Sequence, residues 1–258
     1  MNPVALVTGA GTGIGRAISV ALIDAQWDVV LVGRHHESLT ATAVQARGSG
    51  QSAGRADSPA QATAIVADVT LEASVQELFA TVERRFGRLD LLVNNAGMFG
   101  PIAPIDQVSL ADWQATVDLN LTGSWLCARA AFALMKRQRP GGGRIINNGS
   151  VSAHTPRPET AAYSSTKHAI TGLTKSLSLD GRAYDIACGQ IDIGNAATQM
   201  LSSAAAGMRQ ADGSLAAEPT MDACHVGESV VHMASLPLTA NVQFLTVMAT
   251  AMPYIGRG

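Results

Sequence analysis

Tyr163 and Lys167 stand four residues apart in the run Tyr163-Ser164-Ser165-Thr166-Lys167, a spacing that puts both side chains on one face of a helix. A free tyrosine titrates at about 10, too high for a good base at neutral pH. An ammonium beside it favours the phenolate and lowers that value, making the pair a candidate for proton transfer. A hydroxyl, Ser150, lies thirteen residues upstream. Near the start of the chain, Thr8-Gly9-Ala10-Gly11-Thr12-Gly13-Ile14-Gly15 follows an apolar run. Glycines permit positive φ and let backbone amides approach a pyrophosphate where the positive end of a helix favours anions. The two motifs together suggest proton transfer beside a bound dinucleotide.

Such groups need a scaffold, and the chain has material for one. Apolar residues make up 47% of the 258 and charged residues 15%, a mix suited to a compact core and unlike that of disordered chains. Short β-branched runs are expected as strands at Val4–Thr8, 28–32, 64–67, 89–94, 144–148, 185–190 and 242–247. Helical patterns lie between them at 14–25, 71–86, 110–136 and 162–180. This alternation implies βαβ units, a largely parallel seven-stranded sheet and helices on both faces, hence a single α/β domain over 1–258. Two stretches break the rhythm. Residues 46–62, rich in Gly, Ser and Ala, are expected to form a surface loop. Residues 193–219, poor in large apolar side chains, are expected to form either a substrate lid or an ordinary exposed helix and loop.

Taken in order, the motifs resemble the short-chain dehydrogenase/reductase family over essentially the whole chain. Gly9, Gly13 and Gly15 form its TGxxxGxG turn, Asp68-Val69 follows the third strand, Asn94-Asn95-Ala96-Gly97 follows the fourth, and Ser150, Tyr163 and Lys167 match its catalytic signature. The resemblance implies a Rossmann-like doubly wound fold and hydride transfer between NAD(P) and a secondary alcohol or ketone. It also implies Tyr163 as acid and base, Ser150 as the group polarising the substrate oxygen, Lys167 on the nicotinamide ribose, and Asn120 holding a water in a proton relay. The dinucleotide would be held by Gly9, Thr12, Gly13, Ile14, Gly15, Arg34, Asp68, Val69, Asn95, Ala96 and Gly97, with Tyr163, Lys167, Ile193 and Thr198 at its nicotinamide end. Arg34 stands where a carboxylate would select NAD, so NADP is favoured over NAD; Thr12 does not add a second basic residue. Ile193 replaces a proline common in relatives, while Gly194 and Thr198 stay in register.

Around the reacting groups, His154 and Glu159 are candidates for recognising a polar substrate or plain turn residues. Met98, Phe99 and Ile102 are candidates for an apolar wall. The tail 248–258, with Tyr254-Ile255, is expected to pack on a neighbouring subunit of a homotetramer. Formal net charge of −2 gives no footprint for nucleic acid, and no apolar run reaches the roughly 18 residues that span a bilayer. Cys127, Cys188 and Cys224 lack paired spacing, pointing to the cytoplasm. Adjacent Cys224 and His225 do not make a four-ligand site, so no metal is expected. Two other functions share parts of this pattern. A silent dinucleotide-binding sensor or scaffold could use the same fold. A serine hydrolase at Ser150 would lack the GxSxG elbow.

Overall fold

The computed structural model describes residues 2–49, 59–198, 207–210 and 212–255. Five-residue apolar runs buried end to end, such as β1 (Val4–Thr8), form strands because a parallel sheet covered on both faces needs apolar side chains on both. The others are β2 (Asp28–Gly33), β3 (Ala62–Val66), β4 (Leu91–Asn94), β5 (Gly143–Asn148), β6 (Ile186–Gly194) and β9 (Phe244–Met248). They form one sheet in the order β3-β2-β1-β4-β5-β6-β9, and every pairing is parallel. A separate two-stranded antiparallel ribbon joins β7 (Met208–Arg209) to β8 (Leu215–Ala216).

The helices lie on the two faces of this sheet. On one, α1 (Gly13–Asp24), α2 (His36–Ser49) and α7 (Cys224–Ser235) bury Ile18, Leu22, Leu39, Val230 and Met233. On the other, α3 (Glu72–Phe86) and α5 (Gly123–Arg137) bury Leu78, Val82, Ala131 and Leu134, and Leu177 of α6 (Ala161–Gly181) packs alongside. Helices α1 and α7 approach closely at Gly227, where a Cβ would lie 2.8 Å from the carbonyl of Ala17. The strand order reverses between β1 and β4, so a crevice opens at the carboxyl ends of these two strands.

Several boundaries move from where the sequence places them, each for a local reason. The single helix expected over 110–136 is α4 (Leu110–Val117), a π-helical turn (Asp118–Thr122) and α5; π turns break helical runs and recur at functional sites. Strand β4 starts at Leu91 because the backbone of Leu89 bonds instead to the Gln138 side chain, at 2.8 and 3.0 Å. Asp185 has φ of 55°, so β6 starts one residue later. That strand then runs four residues beyond 190, because β9 pairs with it from Gln190 to Gly194.

In the stretch 46–62, α2 reaches Ser49 and β3 begins at Ala62, while 50–58 lie outside the described residues. Within 193–219, the ribbon is tied down at its far end: Glu218 pairs with Arg157 at 2.6 Å, with side chains 2% and 6% exposed. Residues 199–206 and 211 lie outside the described set. In the tail, Met252 is buried with Val151 and Ala249, Tyr254 packs against that cluster, and Ile255 is exposed; 256–258 are not among the described residues.

Candidate active site

The turn after β1 is shaped by its glycines. Gly9 and Gly13 have φ of 66° and 52°, which a side chain would strain. A Cβ on Gly15 would sit 2.1 Å from the Gly9 carbonyl. No side-chain hydrogen bond caps the start of α1, whose N-cap is Thr12, so the positive end of that helix faces the crevice. The Thr8 hydroxyl accepts from the amides of Asn95 and Ala96, both at 2.9 Å. The Asn95 side chain donates to Thr8 O at 2.9 Å and accepts from Asn148 at 2.8 Å. Asn95 thereby fastens together the ends of β1, β4 and β5.

The crevice is a cleft of about 350 Å³. Lining it are Gly9, Thr12, Gly13, Ile14, Gly15, Arg34, Asp68, Val69, Asn95, Ala96, Gly97, Ile193 and Thr198, together with Ser150, Tyr163 and Lys167. All the residues expected from sequence to meet a dinucleotide thus share one surface. The fit is physical as well as positional: glycines leave room for phosphates at the uncapped start of α1, and Arg34 stands exposed just beyond β2. Asp68, held by hydrogen bonds from Thr70 at 2.9 and 2.7 Å, faces the charge of Arg34. Burial works to raise its carboxyl, but the Thr70 bonds and Arg34 bring it below the ordinary value.

At the reacting end, the ring of Tyr163 is stacked under Phe99, with centroids 4.6 Å apart. The buried Lys167 donates from Nζ to the carbonyl of Asn148 at 2.7 Å, tying α6 to the end of β5. It also lies 5.6 Å from the centre of the Tyr163 ring. Burial pulls Lys167 down to about 8, while the charge of Asp192 holds it up. Burial raises the Tyr163 phenol above its ordinary value, and a hydrogen bond with Ser150 and the charge of Arg157 offset this only in part. Desolvation penalises the phenolate and weakens the ammonium expected to favour it.

Asn120 sits in the π turn and does not line the cleft. Its Oδ1 accepts from the Met98 amide at 2.8 Å, and its Nδ2 donates to Met98 O at 2.9 Å and Thr166 Oγ1 at 3.2 Å. It therefore clamps the loop after β4 to α6. Ser150 is buried; its hydroxyl accepts from the Ser152 amide at 3.1 Å and its own amide donates to Asp192 at 3.0 Å. Met98 and Phe99 line the cleft, whereas Ile102 does not. His154 and Glu159 turn to Asp192 and Arg209, at 2.9 and 3.1 Å, and neither lines the cleft.

The sequence reading passed over Asp192, Arg157 and Glu218. A signal for the first existed: Gln190 and Asp192 are polar residues two apart in an otherwise apolar buried strand. Arg157 and Glu218 lie 61 residues apart and carry no local signature. Away from the cleft, Cys224, His225 and Glu228 each bring one ligand atom within 4.8 Å at the exposed start of α7, where the positive helix end works against a cation. Among the described residues no helix is long and apolar enough to cross a membrane.

Residues 3–209 match the family described as short chain dehydrogenase. The chain is 35% identical over 186 residues to a 3beta-hydroxysteroid dehydrogenase of Mediterraneibacter gnavus, covering 72% of this chain but only 63% of that protein. Sulfoacetaldehyde reductase 2 of Chromohalobacter salexigens is 30% identical over 251 residues, covering 97% of this chain and 95% of the relative. Among solved structures, an actinorhodin polyketide ketoreductase with NADPH superposes with a TM-score of 0.82 at 27% identity, covering 95% of each chain.

Proposed function

The chain belongs to the short-chain dehydrogenase/reductase family, and from that premise we propose that it is an NAD(P)-dependent oxidoreductase interconverting a secondary alcohol and a ketone. The observation that carries the reading is one cleft that joins the glycine turn at Gly9–Gly15 to Ser150, Tyr163 and Lys167. When bound there, the nicotinamide dinucleotide would supply or accept the hydride. Gly9, Thr12, Gly13, Ile14 and Gly15 would take its pyrophosphate. Arg34 would meet the adenosine ribose, and its guanidinium supports NADP over NAD. Asp68 and Val69 would flank the adenine, and Asn95, Ala96, Gly97, Ile193 and Thr198 would line the rest.

In the reducing direction Tyr163 gives its proton to the substrate oxygen as the carbonyl carbon receives the hydride; in oxidation the same hydroxyl takes the proton back. The raised affinity of Tyr163 for its proton suits it to rest as the acid. Ser150 would hydrogen-bond the substrate oxygen, and Lys167 would hold the ribose hydroxyls. Asn120 would serve the proton relay through the backbone it clamps. Fixed placement of these groups supplies most of the acceleration.

The same reading covers the chain as one domain over 1–258, acting in the cytoplasm as a homotetramer. Free thiols at Cys127, Cys188 and Cys224 support a reducing compartment. Exposed Ile105, Leu110 and Trp125 support a subunit interface on the α4–α5 side, and the tail from Met248 would add to one. The ribbon and its neighbours within 193–219 would act as a substrate lid. The test is NADPH- and NADH-dependent turnover of a carbonyl panel that includes a 3-oxosteroid and sulfoacetaldehyde, substrates suggested by the names of the relatives. Turnover lost in Tyr163→Phe is the expected result. Tight dinucleotide binding without turnover of any carbonyl would favour a silent sensor on the same fold.

A further inference from the structure

The wall of the cleft beside the reacting groups contains a guanidinium that the reaction above does not use. Arg157, in the loop between Ser150 and α6, lines the cleft together with Met98, Phe99 and Met208, and its side chain is 6% exposed. Glu218 stands behind it, outside the lining, and its side chain is 2% exposed. Arg157 Nη2 donates to Glu218 Oε2 at 2.6 Å and to Asn195 Oδ1 at 3.0 Å, while Nη1 meets the Met208 thioether. The carboxylate also accepts from Asn195 Nδ2 at 2.7 Å and from Gln210 Nε2 at 3.0 Å. The one cation of this wall is therefore balanced from within the wall itself.

That balance bears on the charge a substrate can carry. Among the described lining residues, Arg34, His35 and Asp68 follow β2 and β3, at the adenosine end. Lys167 is bonded to the Asn148 carbonyl and is assigned to the ribose. An arginine without a counter-charge would draw a carboxylate or sulfonate into a bidentate contact. Here an anionic group entering beside Met98, Phe99 and Met208 would lose its hydration and meet a cation already matched by Glu218. An uncharged group loses little hydration there and gains apolar contact. We propose, resting on the oxidoreductase reading above, that the site selects an uncharged carbonyl compound, and that Glu218 sets this specificity by balancing Arg157 at the cleft wall. Glu218 is thus a specificity-determining residue that acts through Arg157 and touches no substrate.

The test compares NADPH-dependent reduction of levulinate with that of its methyl ester at neutral pH, where the acid is ionised. The two differ by one charge, set apart from the ketone by methylene groups, so their carbonyls are alike in reactivity. The wild type is expected to favour the ester in kcat/KM by about tenfold or more; equal handling, or a preference for the acid, overturns the proposal. Glu218→Gln keeps the shape of the side chain and removes its charge. It is expected to raise levulinate relative to the ester by about tenfold, a gain that added salt erodes. A merely loosened ribbon would change both substrates alike, so an unmoved ratio overturns the role of Glu218. If that variant does not fold, Arg157→Gln is read instead: it leaves the carboxylate unbalanced and widens the ester's advantage, and an unmoved ratio again overturns the proposal. Failure of both to fold makes the pair a structural tie and overturns it too. Should neither probe be reduced, both are compared as competitive inhibitors of whichever panel ketone is. No turnover of any ketone is the failure of the oxidoreductase reading, whereas turnover without discrimination by charge is the failure of this proposal alone.

Discussion

The ring of Phe99 lies flat against that of Tyr163, their planes 18° from parallel and their centroids 4.6 Å apart. Phe99 follows the Asn-Asn-Ala-Gly turn that ends β4, and its backbone neighbour Met98 is clamped on both sides by Asn120. Phe99 therefore stands beside the tyrosine in the lining of the cleft. Phe99→Ala is predicted to raise kcat/KM for bulky ketones relative to small ones by about tenfold, the scale of a lost apolar wall. Kinetics over a size-graded ketone series check this, and an unchanged ratio removes Phe99 from the specificity of the site.

Lys167 ties the protein's stability to alkaline pH. Its folded value of about 8 lies below the ordinary 10.5 because burial disfavours the ammonium. Between these values the unfolded chain binds more protons than the folded one, so this residue's contribution rises with pH across that window. Lys167→Met should lose that rise, on the order of 3 kcal/mol when complete. Urea unfolding of both proteins at about pH 7.5 and about pH 10, below this window and near its top, gives the comparison; equal pH dependence contradicts the burial account.

Arg34 bears on the choice of dinucleotide. Its guanidinium stands exposed after β2 and faces Asp68. Arg34→Ala is predicted to lower the preference for NADPH over NADH by about tenfold or more, because a bidentate phosphate contact is lost. Dissociation constants for both reduced dinucleotides measure it. A preference that does not move would assign the selection elsewhere.

Glu218 anchors the ribbon β7–β8 to the wall of the cleft. It accepts from Arg157 at 2.6 Å, Asn195 at 2.7 Å and Gln210 at 3.0 Å. Burial alone would raise its carboxyl, yet these three donors hold it below the ordinary value. Removing the carboxylate leaves the Arg157 charge in a nearly closed site, so Glu218→Ala should cost about 3 kcal/mol. With its folded value depressed, the wild-type advantage is full above the ordinary carboxylate range and fades as pH falls through the folded value. Thermal melts of both proteins from neutral to acid pH should converge; a constant gap would contradict the ion-pair explanation.

What could be read from sequence was whatever a short run encodes by itself. The glycine turn and the Tyr163–Lys167 spacing carry their chemistry in residue type and interval, and the strand–helix alternation carries the sheet. What escaped depends on distant partners. Leu89 leaves the strand because Gln138, 49 residues away, takes its backbone bonds. Asn120 interrupts a helical pattern that local propensity would continue through it. Asp192 acquires its meaning from His154 and Ser150 across two strand ends. The burial of Tyr163 and Lys167, which raises the one and lowers the other, is likewise set by packing that no short run encodes.

The central claim is that the glycine turn and Tyr163 serve one dinucleotide-dependent site, and titration of the purified wild-type protein with NADPH and NADH by fluorescence tests it most directly. The account predicts saturable binding of both, tighter for NADPH. Folded protein that binds neither reduced dinucleotide would contradict it.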